Sequence, residues 1–150
     1  MVVSNEGINH PPSYPPVYLS SLRPLHGVLL ASTIPLFLGA VLSDLAYASS
    51  YQIQWSNFSS WLIAGGLVFC GLAMLCAIIR FFSRHRARCS GLYLFFLVIT
   101  FLTGFLNSLI HARDAWAMMP TGLLLSVIVF LLACASTWIG FGKLGVGGQR

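Results

Sequence analysis

The sequence predicts an all-α protein that crosses a membrane four times as an up-down-up-down four-helix bundle. Of its 150 residues, 57% are hydrophobic and only 7% are charged, whereas a soluble domain carries about 25% charged residues. Four stretches have the roughly 20 apolar residues that a helix needs to cross about 30 Å of hydrocarbon. None of them alternates between apolar and polar residues, as the strands of a membrane β-barrel do. The composition also excludes an ordinary soluble enzyme and a disordered chain.

The hydropathy defines the elements in chain order. Residues 1–24 contain four prolines within six positions and are predicted to form a flexible cytoplasmic lead, because proline donates no backbone hydrogen bond. The transmembrane domain is expected at 25–142 and a cytoplasmic tail at 143–150. Its spans are expected at about 25–46, 58–79, 91–110 and 118–141. The connecting loops are short, so each helix is expected to run antiparallel to the next.

The distribution of Lys and Arg predicts the orientation. Seven of the eight basic residues fall on the side that holds both termini and the loop between the second and third spans, while Arg113 lies on the other side. Cytoplasmic loops carry an excess of Lys and Arg, so both termini are expected in the cytoplasm. We therefore expect a multi-pass protein of the bacterial inner membrane, surrounded by the lipid bilayer. The same rule explains the basic loop at 80–88, and no nucleic-acid partner is predicted.

Polar residues within the spans mark the first candidate site, because polar side chains are costly in a bilayer. Asp44 lies near the outer end of the first span. The third span carries a stripe at helical spacing, made of Thr100, Gly104, Asn107 and His111. This stripe reaches the depth of Asp44, so we predict an outer polar cluster of Asp44, Asn107, His111 and Arg113. The cluster can be a buried ion pair that fixes helix packing, or a ligand or proton site.

His26, at the opposite membrane boundary, is the candidate inner site. Haem held by two histidines needs both at one depth on facing helices, and the same-side partner available near the membrane is His85 in the basic loop. No cofactor is therefore predicted, with haem kept as an alternative. No metal site is predicted, because the four cysteines lack paired spacing. The chain carries no Gly-x-Ser-x-Gly, Walker or His-Glu-x-x-His motif, so an enzyme is not expected.

The first outer loop is aromatic, rich in amides and uncharged. An aromatic belt at the membrane interface accounts for residues of this kind. The alternative is a docking surface for a periplasmic partner or a lipid-like molecule. The candidate residues for this docking surface are Tyr47, Tyr51, Trp55, Trp61 and Trp116.

Several polar and aromatic landmarks resemble those of a family of small four-span bacterial inner-membrane proteins of unknown function. In chain order they are Arg23 to His26, Pro35 to Tyr47, Gln54 to Phe58, Trp61 to Gly66, Asn107 to Trp116, Gly122 to Ser126 and Trp138 to Gly140. The resemblance covers roughly residues 23–142 and implies the four-span fold, but it implies no activity. Other branches of that family carry a histidine near Tyr93, where it would match His26 in depth. The tyrosine in this chain weighs against haem.

The sequence thus favours a non-catalytic anchor or accessory subunit for a periplasmic or membrane partner. The alternative is an electron-transfer membrane subunit that interacts with haem or quinone, suggested by His26, His111 and Asp44 at the two boundaries. A small transporter or channel subunit is the third hypothesis. It would require a homo-oligomer, because four spans with a single intramembrane acid cannot enclose a polar pore.

Overall fold

The computed structural model describes residues 17–82, 91–113 and 115–144. The helices are α1 (Val17–Ser50), α2 (Ile53–Phe82), α3 (Gly91–His111), α4 (Ala115–Met118) and α5 (Thr121–Leu144). Four of them, α1, α2, α3 and α5, are long and apolar enough to cross a membrane. The predicted all-helical, four-span bundle is thereby confirmed. Residues 1–16 of the predicted lead, His85 and residues 145–150 of the predicted tail lie outside the described residues.

The first two helices extend well beyond the predicted spans. The helix α1 begins at Val17, within the predicted lead, and ends at Ser50; α2 begins at Ile53, so the expected eleven-residue loop has only two residues. Tyr51 makes the turn with a left-handed φ of 55°, and its N–H donates to the Tyr47 carbonyl at 2.8 Å. Hydropathy marks where a helix leaves the apolar layer, and these two helices continue past that point.

The fourth span begins three residues later than predicted because of Pro120. A proline lacks the backbone N–H of a helix interior and is tolerated only at the first turn. The carbonyl of Pro120 accepts a hydrogen bond from Leu124 N at 3.2 Å as α5 begins. The preceding residues form the separate short helix α4, whose last residue, Met118, is buried. Ser56 of α2 donates to Met118 Sδ at 3.6 Å.

The four long helices form a ring in the order α1, α2, α3, α5. Both α1 and α3 pack against α2 and α5, so α1 and α3 face each other across the bundle axis. Because the chain reverses direction at each connection, these two facing helices run parallel. One apolar cluster in the ring is made of Leu30, Cys70, Ala73, Ala77, Tyr93 and Leu97, and a second is made of Phe37, Val129 and Ala133.

The facing helices α1 and α3 keep one constant register. His26 contacts Tyr93 and Asp44 contacts His111, and in both pairs the α3 residue follows 67 positions later. Phe37 also lies against Gly104, at the same offset. The buried stripes are His26, Leu30, Thr33, Phe37, Ala40 and Asp44 on α1, and Tyr93, Leu97, Thr100, Gly104, Asn107 and His111 on α3. The stripe predicted on the third span is thus confirmed as its buried face.

The two ends of the bundle are named here by their polar α1 residues, the His26 end and the Asp44 end. The two residues are 18 positions apart on α1, which corresponds to about 27 Å along a helix. The outside of the bundle is apolar: Trp138 is 84% exposed and Trp61 is 72% exposed. Side chains of this kind contact lipid when the helices cross a bilayer.

Candidate functional site

The Asp44 end holds a buried hydrogen-bond network to which all four long helices contribute. The Asp44 network consists of Asp44 on α1, Ser59 on α2, Asn107 and His111 on α3, and Ser126 on α5. His111 Nε2 lies 3.0 Å from Asp44 Oδ1. Ser126 Oγ donates to Asp44 Oδ2 at 2.6 Å and accepts from Asn107 Nδ2 at 2.9 Å. The carboxyl group therefore links α1 to α3 and α5.

The two ring nitrogens of His111 both face oxygen acceptors. Nδ1 is 3.0 Å from the Asn107 carbonyl oxygen, which can only accept, so Nδ1 carries a hydrogen. Nε2 faces Asp44 Oδ1, with Ser59 Oγ at 3.3 Å. The Asp44 carboxyl group and the Ser59 hydroxyl therefore both approach this one nitrogen.

Asn107 leaves one acceptor of the network unused. Its Oδ1 is fully buried and has no hydrogen-bond partner among the described residues. Exchanging the positions of the Asn107 amide oxygen and nitrogen would not give Oδ1 a partner. The Ser126 hydroxyl donates its only hydrogen to Asp44 and therefore needs Asn107 Nδ2 as a donor. A buried polar atom without a partner costs about 1–3 kcal/mol.

The Asp44 network does not have the arrangement of a nucleophilic triad. In a Ser-His-Asp triad the acid and the hydroxyl occupy opposite nitrogens of the imidazole. Here Asp44 and Ser59 both approach Nε2 of His111, and the Ser59 hydroxyl donates to the Ala40 carbonyl at 3.3 Å. This geometry offers no activated serine. Within the described ranges, no group of three or more His, Cys, Asp or Glu side chains is placed to hold a metal ion.

The structure brings together three of the four residues predicted for the outer polar cluster. Asp44, Asn107 and His111 share the network, whereas Arg113 is exposed beyond the end of α3. In the part of the chain that the structure describes, the basic side chain in contact with Asp44 is that of His111. Sequence reasoning missed Ser59 and Ser126. The signal that could have found them is their separation of 67 residues, the offset that also relates Asp44 to His111.

At the His26 end, the candidate inner residue His26 is bonded across the bundle to Tyr93. His26 Nε2 and Tyr93 OH are 2.7 Å apart, and their rings meet edge to face at 81°. A Cβ built on Gly140 would lie 3.0 Å from Tyr93 Cε2 and 2.6 Å from Leu30 Cδ2. The helix α5 therefore packs directly against the Tyr93 ring at this glycine. A haem between these two side chains would require them to part.

The residues predicted for the docking surface are placed in different surroundings. Tyr47 is only 3% exposed, and its ring packs edge to face against Tyr51. Tyr51 is exposed at the turn, and Trp55 is partly exposed in the first turn of α2. Trp61 lies farther along α2 on the lipid-facing surface, and the side chain of Trp116 lies outside the described residues. The docking role of these residues stays a prediction.

Comparison with known proteins places the chain in a family. No curated protein and no solved structure matches it. The profile of the family described as "Predicted membrane protein (DUF2231)" matches residues 22–146. This range contains all four candidate spans and both buried polar ends. The chain therefore belongs to the DUF2231 family, whose members are predicted membrane proteins of unknown function.

Proposed function

We propose that this protein is a non-catalytic membrane subunit that anchors or assists a partner protein at its Asp44 end. The observation that carries the proposal is the α1–α2 turn. The helix α1 continues for six residues beyond Asp44 and ends at Ser50, which places the turn about 9 Å past Asp44 along the helix. At the turn the chain exposes uncharged aromatic, aliphatic and amide side chains. This aromatic tip consists of Tyr51, Gln52, Ile53, Gln54 and Trp55.

The internal bonding of the polar side chains favours a binding role over a catalytic one. Both carboxyl oxygens of Asp44 and both ring nitrogens of His111 have hydrogen-bond partners. At the other end, His26 is bonded to Tyr93. The groups that could act on a substrate are therefore buried and engaged with one another, whereas the side chains of the aromatic tip are exposed.

The chemistry of the aromatic tip fits a protein partner. Tyr and Trp are enriched at protein interfaces because they bury a large apolar area while keeping a polar group for hydrogen bonding. A belt at the lipid interface explains Trp61 and Trp138, which face outward along the helices. The tip lies at the turn between α1 and α2, at one end of the bundle. By the positive-inside rule this end faces outward, which is the periplasm if the membrane is the bacterial inner membrane.

Site-specific photo-cross-linking tests the anchoring proposal. A benzophenone amino acid is placed at Trp55 in the aromatic tip or, as the matched control, at the lipid-facing Trp138. The full-length protein is then cross-linked in intact membranes and purified under mild conditions. We expect a discrete adduct with a second protein from position 55 and none from position 138. Recovery of the protein alone from position 55, in several detergents, would sink the proposal.

An electron-transfer role is the second candidate, and the His26–Tyr93 pair is the observation that favours it. A buried imidazole beside a phenol offers hydrogen-bonding groups of the kind that bind a quinone carbonyl, provided that the 2.7 Å bond between them opens. An absorption spectrum of the purified protein, before and after dithionite, separates the two candidates. A Soret band that shifts on reduction, or a co-purified quinone, supports electron transfer. We expect neither.

A further inference from the structure

We propose that the Asp44 network contains a binding site for one internal water molecule, between Asn107 Oδ1 and Ser59 Oγ at the level of Ala40. The inference does not depend on the anchoring role. It rests on an acceptor of Asn107 that has no partner, on the weak bonding of the Ser59 hydroxyl, and on the small side chain at the facing position of α1.

The first observation is the unused acceptor of Asn107. The side chain is fully buried, and its Oδ1 has no hydrogen-bond partner among the described residues. Nδ2 is attached to the same carbon atom and donates to Ser126 Oγ at 2.9 Å, so the amide oxygen borders the interior of the Asp44 network. Native proteins satisfy buried acceptors of this kind with bound water where no protein donor is within reach. Asn107 Oδ1 therefore needs a donor that the neighbouring side chains do not supply.

The Ser59 hydroxyl is a second buried group without a strong hydrogen bond. Its contacts with the Ala40 carbonyl oxygen and with His111 Nε2 are both 3.3 Å long. An O–H donor normally bonds to oxygen at about 2.5–3.0 Å, and Ser126 reaches Asp44 at 2.6 Å in the same network. The hydrogen of Ser59 is thus held weakly, although the side chain is fully buried. It can be donated to a bound molecule that offers a shorter bond.

The facing position on α1 supplies the space. Ala40 and Asn107 are 67 positions apart in the sequence, the offset that pairs Asp44 with His111 across the axis. Ala40 is only 1% exposed and carries a methyl group. The preceding and following members of the buried α1 stripe, Phe37 and Asp44, are larger, and each lies about one helical turn away. These two side chains bound the level of Ala40 on both sides, which leaves room for one small molecule.

Water matches these groups in size and in bonding. A buried water molecule typically makes about three hydrogen bonds, and it has two hydrogens to donate. In the proposed site it donates one hydrogen to Asn107 Oδ1 and accepts the hydrogen of Ser59. Its other hydrogen is directed to the Asp44 carboxyl group, whose two oxygens can accept more bonds than the contacts they already make. The water would thus occupy the unused acceptor and link α2 to α3.

Transfer of magnetisation from water to the protein tests the site without any substitution. The full chain is reconstituted in lipid bilayers and studied by solid-state NMR. Asn107 is the one asparagine that precedes a serine, and Thr100 is the one threonine that precedes a phenylalanine, so paired isotope labelling assigns both residues. Thr100 is the control, because its side chain is also buried and its hydroxyl is bonded to Phe96 and Ser136.

We expect magnetisation to reach the amide carbon of Asn107 several-fold faster than the side chain of Thr100. Both side chains bond to a buried serine hydroxyl, so relay through exchanging hydroxyl hydrogens affects the two alike. Equal transfer rates at the two residues would overturn the proposal.

Ala40→Val tests the position of the water. The added carbon atoms would occupy the space opposite Asn107, so we expect transfer to the Asn107 amide carbon to fall to the rate at Thr100. Ala64→Val is the matched control, because Ala64 is exposed on α2, and it should leave the transfer unchanged. Fast transfer that persists in a folded Ala40→Val protein would overturn the site. If Ala40→Val does not fold, the comparison within the unmodified protein decides.

Discussion

Adjacent glycines on α2 are predicted to respond differently to the same substitution. In Gly66→Ala, the new Cβ would lie 2.7 Å and 2.8 Å from Phe37 Cε1 and Cζ. Ordinary contact begins near 3.4 Å, so the ring must retreat by about 0.7 Å (3.4 − 2.7). Phe37 is only 1% exposed, and Gly104 backs the ring on its other side. In Gly65→Ala, the nearest atom is Leu36 Cδ2 at 3.7 Å, so nothing needs to move.

The two substitutions share one energetic contribution and differ in another. Replacing a helical glycine by alanine stabilises the helix by about 1 kcal/mol, and both variants receive this gain. Overpacking of a filled core costs about 1–3 kcal/mol, and only Gly66→Ala incurs this cost. We therefore expect the free energy of unfolding of Gly66→Ala to lie about 1–3 kcal/mol below that of Gly65→Ala. For a protein of this size the difference corresponds to roughly 2–12 °C in unfolding temperature.

Thermal unfolding of both variants in the same detergent, followed by tryptophan fluorescence, measures this difference. A Phe37→Leu change should relieve the overlap in Gly66→Ala, and the double-mutant cycle isolates that coupling. Because both glycines lie on one helix and at adjacent depths, detergent effects cancel. A Gly66→Ala variant that unfolds at or above the temperature of Gly65→Ala would refute the close approach of α2 to Phe37.

Three further predictions use the same unfolding assay. Ser126→Ala removes a donor to Asp44 and should cost about 1–3 kcal/mol. Ser60→Ala, whose hydroxyl donates to the Ser56 carbonyl within α2, should change little, and equal losses would contradict the network. Tyr93→Phe deletes the bond to His26 and should cost about 1 kcal/mol, and an unchanged stability would argue against that bond. Trp138→Ala should stay within about 0.5 kcal/mol of the unmodified protein, and a larger loss would show that this exposed ring packs against protein.

The fold could be predicted because four apolar stretches leave a chain of this composition few alternatives. The ends of the helices could not be predicted, because hydropathy reports the edge of the apolar layer and not the last hydrogen bond of the helix. The continuation of α1 to Ser50 shows this: Tyr47, expected in a loop, follows Asp44 by one helical turn and is turned inward with it. At Pro120 the local backbone chemistry, and not hydropathy, fixes where α5 begins.

Depth and periodicity were sufficient to group Asp44, Asn107 and His111, because strongly polar side chains within a span must find one another. Depth and periodicity were insufficient to find Ser59 and Ser126. Serine is common in membrane helices, because its hydroxyl can donate to a backbone carbonyl of the same helix. Arg113 is only two positions from His111 in the sequence. It follows the last residue of α3, so the helix no longer directs its side chain toward the bundle axis. The separation of 67 residues becomes a usable signal once α1 and α3 are known to face each other.

The constant offset between the facing helices has a consequence for symmetry. Two identical helical hairpins related by a two-fold axis could build a similar ring, but each residue on that axis would meet its own copy. An aspartate would then face an aspartate, and a histidine a histidine. In this chain the two hairpins are covalently joined and differ in sequence, so the axial positions hold unlike partners, Asp44 with His111 and His26 with Tyr93. Joining the halves in one chain is what permits an acid and a base to meet on the axis.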